Sequence, residues 1–170
     1  MERVDEVAIG GSAEPWAMDI GDRRMWLALL AVLSGLEPRL DEHHKRLFGI
    51  NHHEYMVLIM LAEAPGQTAE LSSIARRVNS SLSRISHTVR RLESDGYVAL
   101  ARSERDGRVT IASLTAAGSD LLERASFENM AEAHRLVLDA LTPEQRAQLT
   151  DICLALLRHW RPEDPHPWLP

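Results

Sequence analysis

Apolar residues recur three or four positions apart in six stretches of the chain, and each stretch predicts an amphipathic helix. The predicted helices cover 22–48, 54–64, 69–78, 82–95, 116–140 and 143–160. Capping residues mark three of the helix starts: Asn51, Thr115, and Thr142-Pro143 with Gln145. The chain is therefore predicted to be mainly α-helical, although Pro38 is expected to kink the first helix.

The pattern changes from helical to strand-like between the fourth and fifth helices. Gly96 directly follows the fourth predicted helix, where a glycine commonly ends a helix. Two predicted strands, 97–102 and 109–114, flank Asp106-Gly107, a pair that favours a hairpin turn. The order of a short helix, a polar-faced helix and a hairpin predicts a winged helix-turn-helix.

The polar-faced helix has a clear division into two faces. Four apolar residues at spacings of three, four and three are predicted to face the core: Leu82, Ile85, Val89 and Leu92. The remaining residues are predicted to face outward: Ser81, Ser83, Arg84, Ser86, His87, Thr88, Arg90 and Arg91.

The flanking helices carry more apolar surface than the small central region can cover. Leu27 and Val32, for example, lie off the main stripe of the first helix, so this helix needs cover on more than one side. A symmetric homodimer provides that cover. We therefore predict an N-terminal arm (1–21), a helical dimerisation region (22–50 and 116–160), a winged helix-turn-helix DNA-binding region (51–115) and a Pro-rich tail (161–170).

Charge separates the predicted winged helix from the rest of the chain. Between Arg76 and Arg108 there are eight arginines and four acidic residues, a net charge of +4. The whole chain carries −6, so the remaining residues sum to −10. A basic block on an acidic protein is typical of a surface that binds a polyanion, and double-stranded DNA is the predicted partner. A solvated helix face is the alternative interpretation.

The candidate DNA contacts lie at the start of the polar-faced helix, along it, and at the hairpin tip. They are Ser80, Ser81, Ser83, Arg84, His87, Arg90, Arg91, Arg105, Asp106 and Arg108. Small hydroxyl residues let the helix start approach a phosphate or a base edge, where the helix dipole favours an anion. Arg84 can donate two hydrogen bonds to guanine in the major groove, and His87 can donate to a base or a phosphate.

The remaining candidates suit the DNA backbone and the minor groove. Phosphate contact is predicted for the two later arginines of the helix. The two arginines of the hairpin tip are predicted to enter a narrow minor groove, which attracts cations. Asp106 is predicted either to hold a neighbouring arginine or to close the turn. A plain Asp-Gly turn with incidental charges is the alternative.

Other features of the sequence narrow the class of protein. No stretch has the length and apolarity of a membrane span, and the N-terminus does not resemble a signal peptide. One cysteine, Cys153, excludes an internal disulfide, so a cytoplasmic protein is expected. Cys153 lies in the apolar stripe of the last helix and is predicted to be buried and inert. We find no catalytic motif, and so predict no enzymatic activity and no cofactor.

Two further groups of residues are candidates for sensing. Trp26, Met56 and Met60 could line an apolar ligand pocket, or could belong to the core. The pairs His43-His44 and His52-His53 could converge across a turn, with Glu54 or His134 as a further metal ligand. Exposed loop histidines explain the same pattern, and we assign no metal site.

Several motifs occur together in order: Leu71-Ser-Ser-Ile-Ala75, Ser81-Leu-Ser-Arg84, Leu92-Glu-Ser-Asp-Gly96-Tyr-Val98, Asp106-Gly-Arg108 and Leu114-Thr-Ala-Ala-Gly118. In this order and spacing the chain resembles the MarR (multiple antibiotic resistance regulator) family. The resemblance implies a winged helix-turn-helix dimer that binds pseudo-palindromic promoter DNA, usually as a repressor. It also implies a small effector, often phenolic, bound between the dimerisation helices and the DNA-binding lobe.

The chain departs from the family pattern at two positions. Leu100 stands where the family often has an arginine, and Gly107 stands where a second basic residue is common. Both departures remove a phosphate contact. They leave open an alternative function, that of a ligand-sensor or protein-interaction module whose winged helix no longer reads DNA.

Overall fold

The computed structural model describes residues 19–160, so nearly all of the predicted arm and all of the Pro-rich tail lie outside the described residues. Within this range the chain is mainly α-helical, as predicted, with one small sheet. The elements are α1 (Ile20–Phe48), α2 (His52–Ala62), β1 (Thr68–Glu70), α3 (Leu71–Arg77), α4 (Leu82–Ser94), β2 (Val98–Arg102), β3 (Thr110–Leu114), α5 (Ala116–Leu136) and α6 (Pro143–Trp160). The chain divides into two compact units, the first ending at Gly35 and the second beginning at Leu36, both within α1.

The predicted helix caps are confirmed. The Asn51 side chain accepts a hydrogen bond from the backbone N–H of Glu54 at 2.8 Å, and the Glu54 carboxylate accepts the backbone N–H of Asn51 at 2.7 Å. The Thr142 side chain and Gln145 form the same reciprocal pair at the start of α6. Gly96 follows α4 with a φ of +80°, a conformation that glycine adopts without steric cost.

A third strand was missed by the sequence analysis. The helix predicted to begin at residue 69 begins at Leu71, and Thr68–Glu70 instead forms β1. Strand β3 is central and pairs antiparallel with both neighbours, with Ala112 opposite Ala69 on one side and Leu100 on the other. The prediction of a two-stranded hairpin was therefore incomplete. The extra strand ties the start of the helix-turn-helix to the base of the wing.

Helices α2, α3 and α4, the sheet, and the first half of α5 enclose the hydrophobic core. Ile85, Val89 and Leu92 of α4 are fully buried, as predicted. The prediction for Leu82 was wrong, because its side chain is 53% exposed at the first position of α4. The prediction for Thr88 was also wrong: it is buried, and its hydroxyl donates to the backbone oxygen of Arg84 at 2.9 Å.

Some helix boundaries also differ from the prediction. Helix α2 begins at His52, two residues early, because Asn51 caps it. Helix α5 ends at Leu136 and gives way to a single 3-10 turn at Leu138–Ala140, rather than running to residue 140. Helix α1 continues through Pro38. None of these differences changes the order of the elements.

Candidate nucleic-acid interface

The start of α4 presents a polar surface. Ser81 is the N-cap, and its hydroxyl accepts the backbone N–H of Arg84 at 3.2 Å. Ser83, Arg84 and His87 are exposed on the following turns. Within the described residues, the side chains of Arg84 and His87 make no hydrogen bond or ion pair, so their donors face solvent. Ser80 is only half exposed, and its hydroxyl is buried.

The two later arginines of α4 differ in their surroundings. Arg90 is exposed and has no side-chain partner in the described part of the chain. Arg91 reaches back to the corner between α1 and α2, where its Nε lies 3.2 Å from a carboxylate oxygen of Glu54 and its Nη2 lies 3.3 Å from the backbone oxygen of Gly49. Sequence reasoning assigned Arg91 to phosphate contact but missed Glu54 as its partner. The Asn51–Glu54 spacing signals the helix cap, but nothing in the sequence links Glu54 to a residue 37 positions away.

The tip of the wing is a seven-residue loop, 103–109, one residue longer than predicted because β3 begins at Thr110. Asp106 closes it, since its carboxylate accepts the backbone N–H of Arg108 at 2.9 Å and its backbone oxygen accepts the N–H of Val109 at 2.9 Å. Of the two predicted roles for Asp106, closing the turn is the one observed. Gly107 does not adopt a positive φ, so the tip is not the mirror-image turn that Asp-Gly favours. Arg105 and Arg108 are exposed at this tip.

Backbone contacts fix the base of the wing against α5. Thr115 caps α5 by accepting the N–H of Gly118 at 3.0 Å, while its hydroxyl donates to the backbone oxygen of Gly96 at 2.8 Å. The N–H of Thr115 donates to the backbone oxygen of Tyr97 at 3.1 Å. A Cβ atom at Gly118 would lie 2.1 Å from that oxygen. Residue 118 must therefore be glycine for α5 to approach the end of α4 this closely.

The two histidine pairs do converge at the α1–α2 corner. The His44 ring stacks on Tyr55 with centroids 4.5 Å apart, and the His52 ring lies 5.3 Å from His44. Burial, together with the nearby His44, lowers the pKa of His52 to about 4. Burial also lowers the pKa of His44 and of His53. These rings are consequently neutral at pH 7.

The histidine corner does not extend to the further metal ligands that we considered. Glu54 pairs with Arg91, and His134 lies 3.4 Å from Asp139 instead. Across residues 19–160, no group of three or more His, Cys, Asp or Glu side chains is arranged to hold a metal ion. Among the helices in that same range, none combines the length and the apolarity needed to cross a bilayer.

The residues predicted for a ligand pocket occupy three different environments. Trp26 is 46% exposed in the first unit. Met60 is fully buried in the core, and Met56 packs half-buried against it. A cavity of about 490 Å³ lies elsewhere, lined by Leu47, Phe48, Glu123, Arg124, Phe127 and Glu128.

The prediction that Cys153 is buried was wrong. Cys153 is exposed in the single chain. It lines an apolar groove of about 320 Å³ between α6 and the turn before it. Leu149, Ile152 and Trp160 of the predicted apolar stripe are exposed as well, so the described chain does not bury this stripe.

Comparison with known proteins agrees with this architecture. Residues 48–109 match the MarR family. The HTH-type transcriptional repressor Rv2887 of Mycobacterium tuberculosis (strain ATCC 25618 / H37Rv) is 32% identical over 98 residues, which make up 58% of this chain and 69% of the repressor.

Two solved structures from Streptomyces coelicolor are similar over most of the chain. One is Sco3205, a MarR family transcriptional regulator in complex with DNA, with 29% identity and a TM-score of 0.82 over 91% of this chain and 98% of Sco3205. The other is AbsC, a MarR family transcriptional regulator, with 27% identity and a TM-score of 0.78 over 88% of this chain and 100% of AbsC. The fold is a winged helix-turn-helix. The chain belongs to the MarR family of transcriptional regulators.

Proposed function

We propose that this regulator is a homodimeric repressor that binds pseudo-palindromic promoter DNA and is released by a small effector. Helix α4 of each subunit enters a major groove, and the two grooves lie about one helical turn (~34 Å) apart. The wings reach into the flanking minor grooves. The observation that carries this proposal is the exposed row of Ser83, Arg84 and His87 at the start of α4, whose donors no other described side chain occupies.

Each part of α4 has a separate role in the proposal. Ser83 is small, so the backbone comes close to the DNA, and Arg84 donates to guanine O6 and N7. The exposed Leu82 offers an apolar contact suited to a thymine methyl group. Arg90 and Arg91 contact phosphates, which position the helix without reading sequence. Ser80 and Ser81 are small residues that let the start of α4 come close to the DNA, and Ser81 is the helix N-cap.

The wing contributes through Arg105 and Arg108. Both side chains are exposed at a tip whose backbone Asp106 closes. Arg102 links the two strands of the wing next to the tip, since its Nη1 on β2 donates to the Thr110 hydroxyl on β3 at 3.3 Å. A narrow minor groove concentrates negative potential, so an arginine held at its mouth favours A·T-rich flanks.

Exposed apolar side chains on the flanking helices support the homodimer. On α5, Phe127 is 77% exposed, and on α6, Ile152 and Trp160 are 57% and 64% exposed. Large apolar side chains exposed on consecutive helices are candidates for an interface between subunits. The proposal therefore keeps the division into a helical dimerisation region (22–50 and 116–160) and a DNA-binding region (51–115).

The proposed effector site is the cavity beside the end of α1. The cavity of about 490 Å³ between the end of α1 and α5 has a volume typical of small-molecule sites, and it offers Phe48 and Phe127 for an aromatic ring with Arg124 for an acidic group. These residues suit a phenolic ligand better than Met60, which has no exposed surface.

Salt-dependent binding to the DNA upstream of the regulator's own gene tests the proposal. Phosphate contacts release counterions, so log affinity must fall linearly with log salt concentration. A footprint covering two half-sites about one turn apart is the expected result. A footprint that disappears with a phenolic acid would support effector release. Absence of salt-dependent binding would instead favour a sensor or protein-interaction module that no longer reads DNA.

A further inference from the structure

Glu54 is a charged residue in the interior of the winged helix. Its side chain is only 3% exposed. One carboxylate oxygen accepts the backbone N–H of Asn51 at 2.7 Å and completes the cap of α2. The second carboxylate oxygen takes no part in the cap. Burying a carboxylate costs free energy unless both oxygens accept hydrogen bonds or lie near a positive charge. That second oxygen faces Arg91 Nε at 3.2 Å.

Arg91 is held on one side and open on the other. Its Nε meets Glu54, and its Nη2 donates to the backbone oxygen of Gly49 at 3.3 Å. The side chain nevertheless remains 48% exposed. A guanidinium carries five N–H donors in a rigid plane, so these two contacts fix the plane and leave donors for a further acceptor.

We propose that Glu54 is a positioning residue for DNA binding: it holds the Arg91 guanidinium on the last turn of α4 in the orientation that contacts a backbone phosphate. This inference rests on the proposed function. A free arginine side chain loses rotamer entropy when it is fixed in one geometry. The Glu54 contact fixes Arg91 before DNA arrives. Arg90, the adjacent residue, has no such contact and serves as the internal comparison.

The substitution Glu54→Gln tests the proposal, because positioning and long-range electrostatics predict opposite changes in DNA affinity. Glutamine keeps an oxygen that can accept the Asn51 N–H, so the helix cap survives, but the ionic contact with Arg91 is lost. Removing a negative charge from a DNA-binding lobe raises affinity if long-range electrostatics alone is at work. Loss of positioning lowers it, and we expect a decrease of about three- to fivefold at 0.1 M salt, somewhat less than the contribution of one phosphate contact.

A double-mutant cycle separates positioning from a purely structural role. In the wild-type background, Arg91→Ala should reduce the magnitude of the salt slope by about 0.9 and lower affinity about five- to tenfold. In the Glu54→Gln background Arg91→Ala should reduce DNA affinity by a distinctly smaller factor. Arg90→Ala should reduce DNA affinity by the same factor in both backgrounds. Arg91→Lys keeps the charge without the planar fork, and should lose about as much affinity as Glu54→Gln.

The outcomes are distinguishable. If the wild-type protein shows no salt-dependent binding, the proposed function itself fails. If the wild type binds but Glu54→Gln raises affinity, or if residues 54 and 91 couple in the free energy of unfolding and not in DNA affinity, the positioning role is refuted. Arg91→Lys decides the matter should Glu54→Gln fail to fold, since a wild-type affinity for Arg91→Lys also refutes it.

Discussion

Replacing Gly118 with alanine should distort the junction between the wing and α5. The added Cβ would lie 2.1 Å from the backbone oxygen of Tyr97 and 2.8 Å from Leu114 Cδ1. Favourable contacts between non-bonded carbon atoms lie at about 3.5–4.0 Å, so one of the two backbones must move. The Tyr97 oxygen cannot retreat freely, because it also accepts the N–H of Thr115 at 3.1 Å.

Two effects of opposite sign determine the magnitude. Gly118 is in the first turn of α5, where alanine is favoured over glycine by up to ~1 kcal/mol of helix propensity. Overpacking costs about 1–3 kcal/mol and occasionally more, and a clash with backbone belongs at the upper end. We therefore expect the free energy of unfolding to fall by about 2 kcal/mol, which corresponds to a decrease in Tm of roughly 4–8 °C for a chain of this length.

Urea and thermal unfolding measure this change, with Gly107→Ala as the matched control. A Cβ at Gly107 would meet no atom within 4 Å, so the control should remain within about 0.5 kcal/mol of the wild type. The Gly118→Ala protein should also bind DNA more weakly, because the wing is anchored at this junction. If Gly118→Ala is as stable as the control, or gains the ~1 kcal/mol of helix propensity, the close approach of α5 to Tyr97 is refuted.

Three further predictions concern DNA, assembly and pH. Arg84→Ala should weaken binding by roughly 1–3 kcal/mol and relax preference at one base pair, whereas Arg108→Ala should weaken binding and its preference for A·T flanks; unchanged affinities on a panel of site variants would contradict both assignments. Ile152→Asp should convert a dimer to a folded monomer in sedimentation velocity, because this exposed position costs the single chain little, and a monomeric wild type at micromolar concentration would defeat the homodimer. Because the pKa of His52 is lowered to about 4, the folded chain binds fewer protons than the unfolded chain between that value and the unfolded pKa of about 6.5. The free energy of unfolding should therefore fall as pH decreases through this window, by roughly 1 kcal/mol per pH unit, and His52→Gln should flatten the dependence; equal slopes for variant and wild type would exclude His52 as the cause.

Local signals in the sequence were sufficient for the order of the helices and of the two hairpin strands. The helical periodicity, the caps at Asn51, Thr115 and Thr142, and the glycine at 96 each involve residues within four positions of one another, so their physics is readable in a short window. The family resemblance rests on the same segments. The outward face of α4, with Arg84 and His87, was likewise predictable, because a helix of known period assigns most faces by itself.

Long-range contacts were decided by the tertiary structure alone. Strand β1 exists because Thr68–Glu70 pairs with residues more than 40 positions away, and three residues carry too little alternation to predict a strand. Thr88 lies on the polar side of α4 by sequence, yet the packing of α4 in the fold buries it, and its hydroxyl is satisfied by donating to the Arg84 carbonyl within the helix.

The same distinction explains Cys153 and Arg91. An apolar stripe indicates that a helix face packs against another surface, but it does not indicate whether that surface belongs to this chain or to a partner. Cys153 lies in the predicted stripe and is nevertheless exposed in the single chain. Charge composition predicted a basic interface that includes Arg91, while its anchoring by Glu54 required both helices to be placed in space. Periodicity and capping act over a few residues and are encoded locally; pairing, burial and ion-pair choice depend on which distant segments meet.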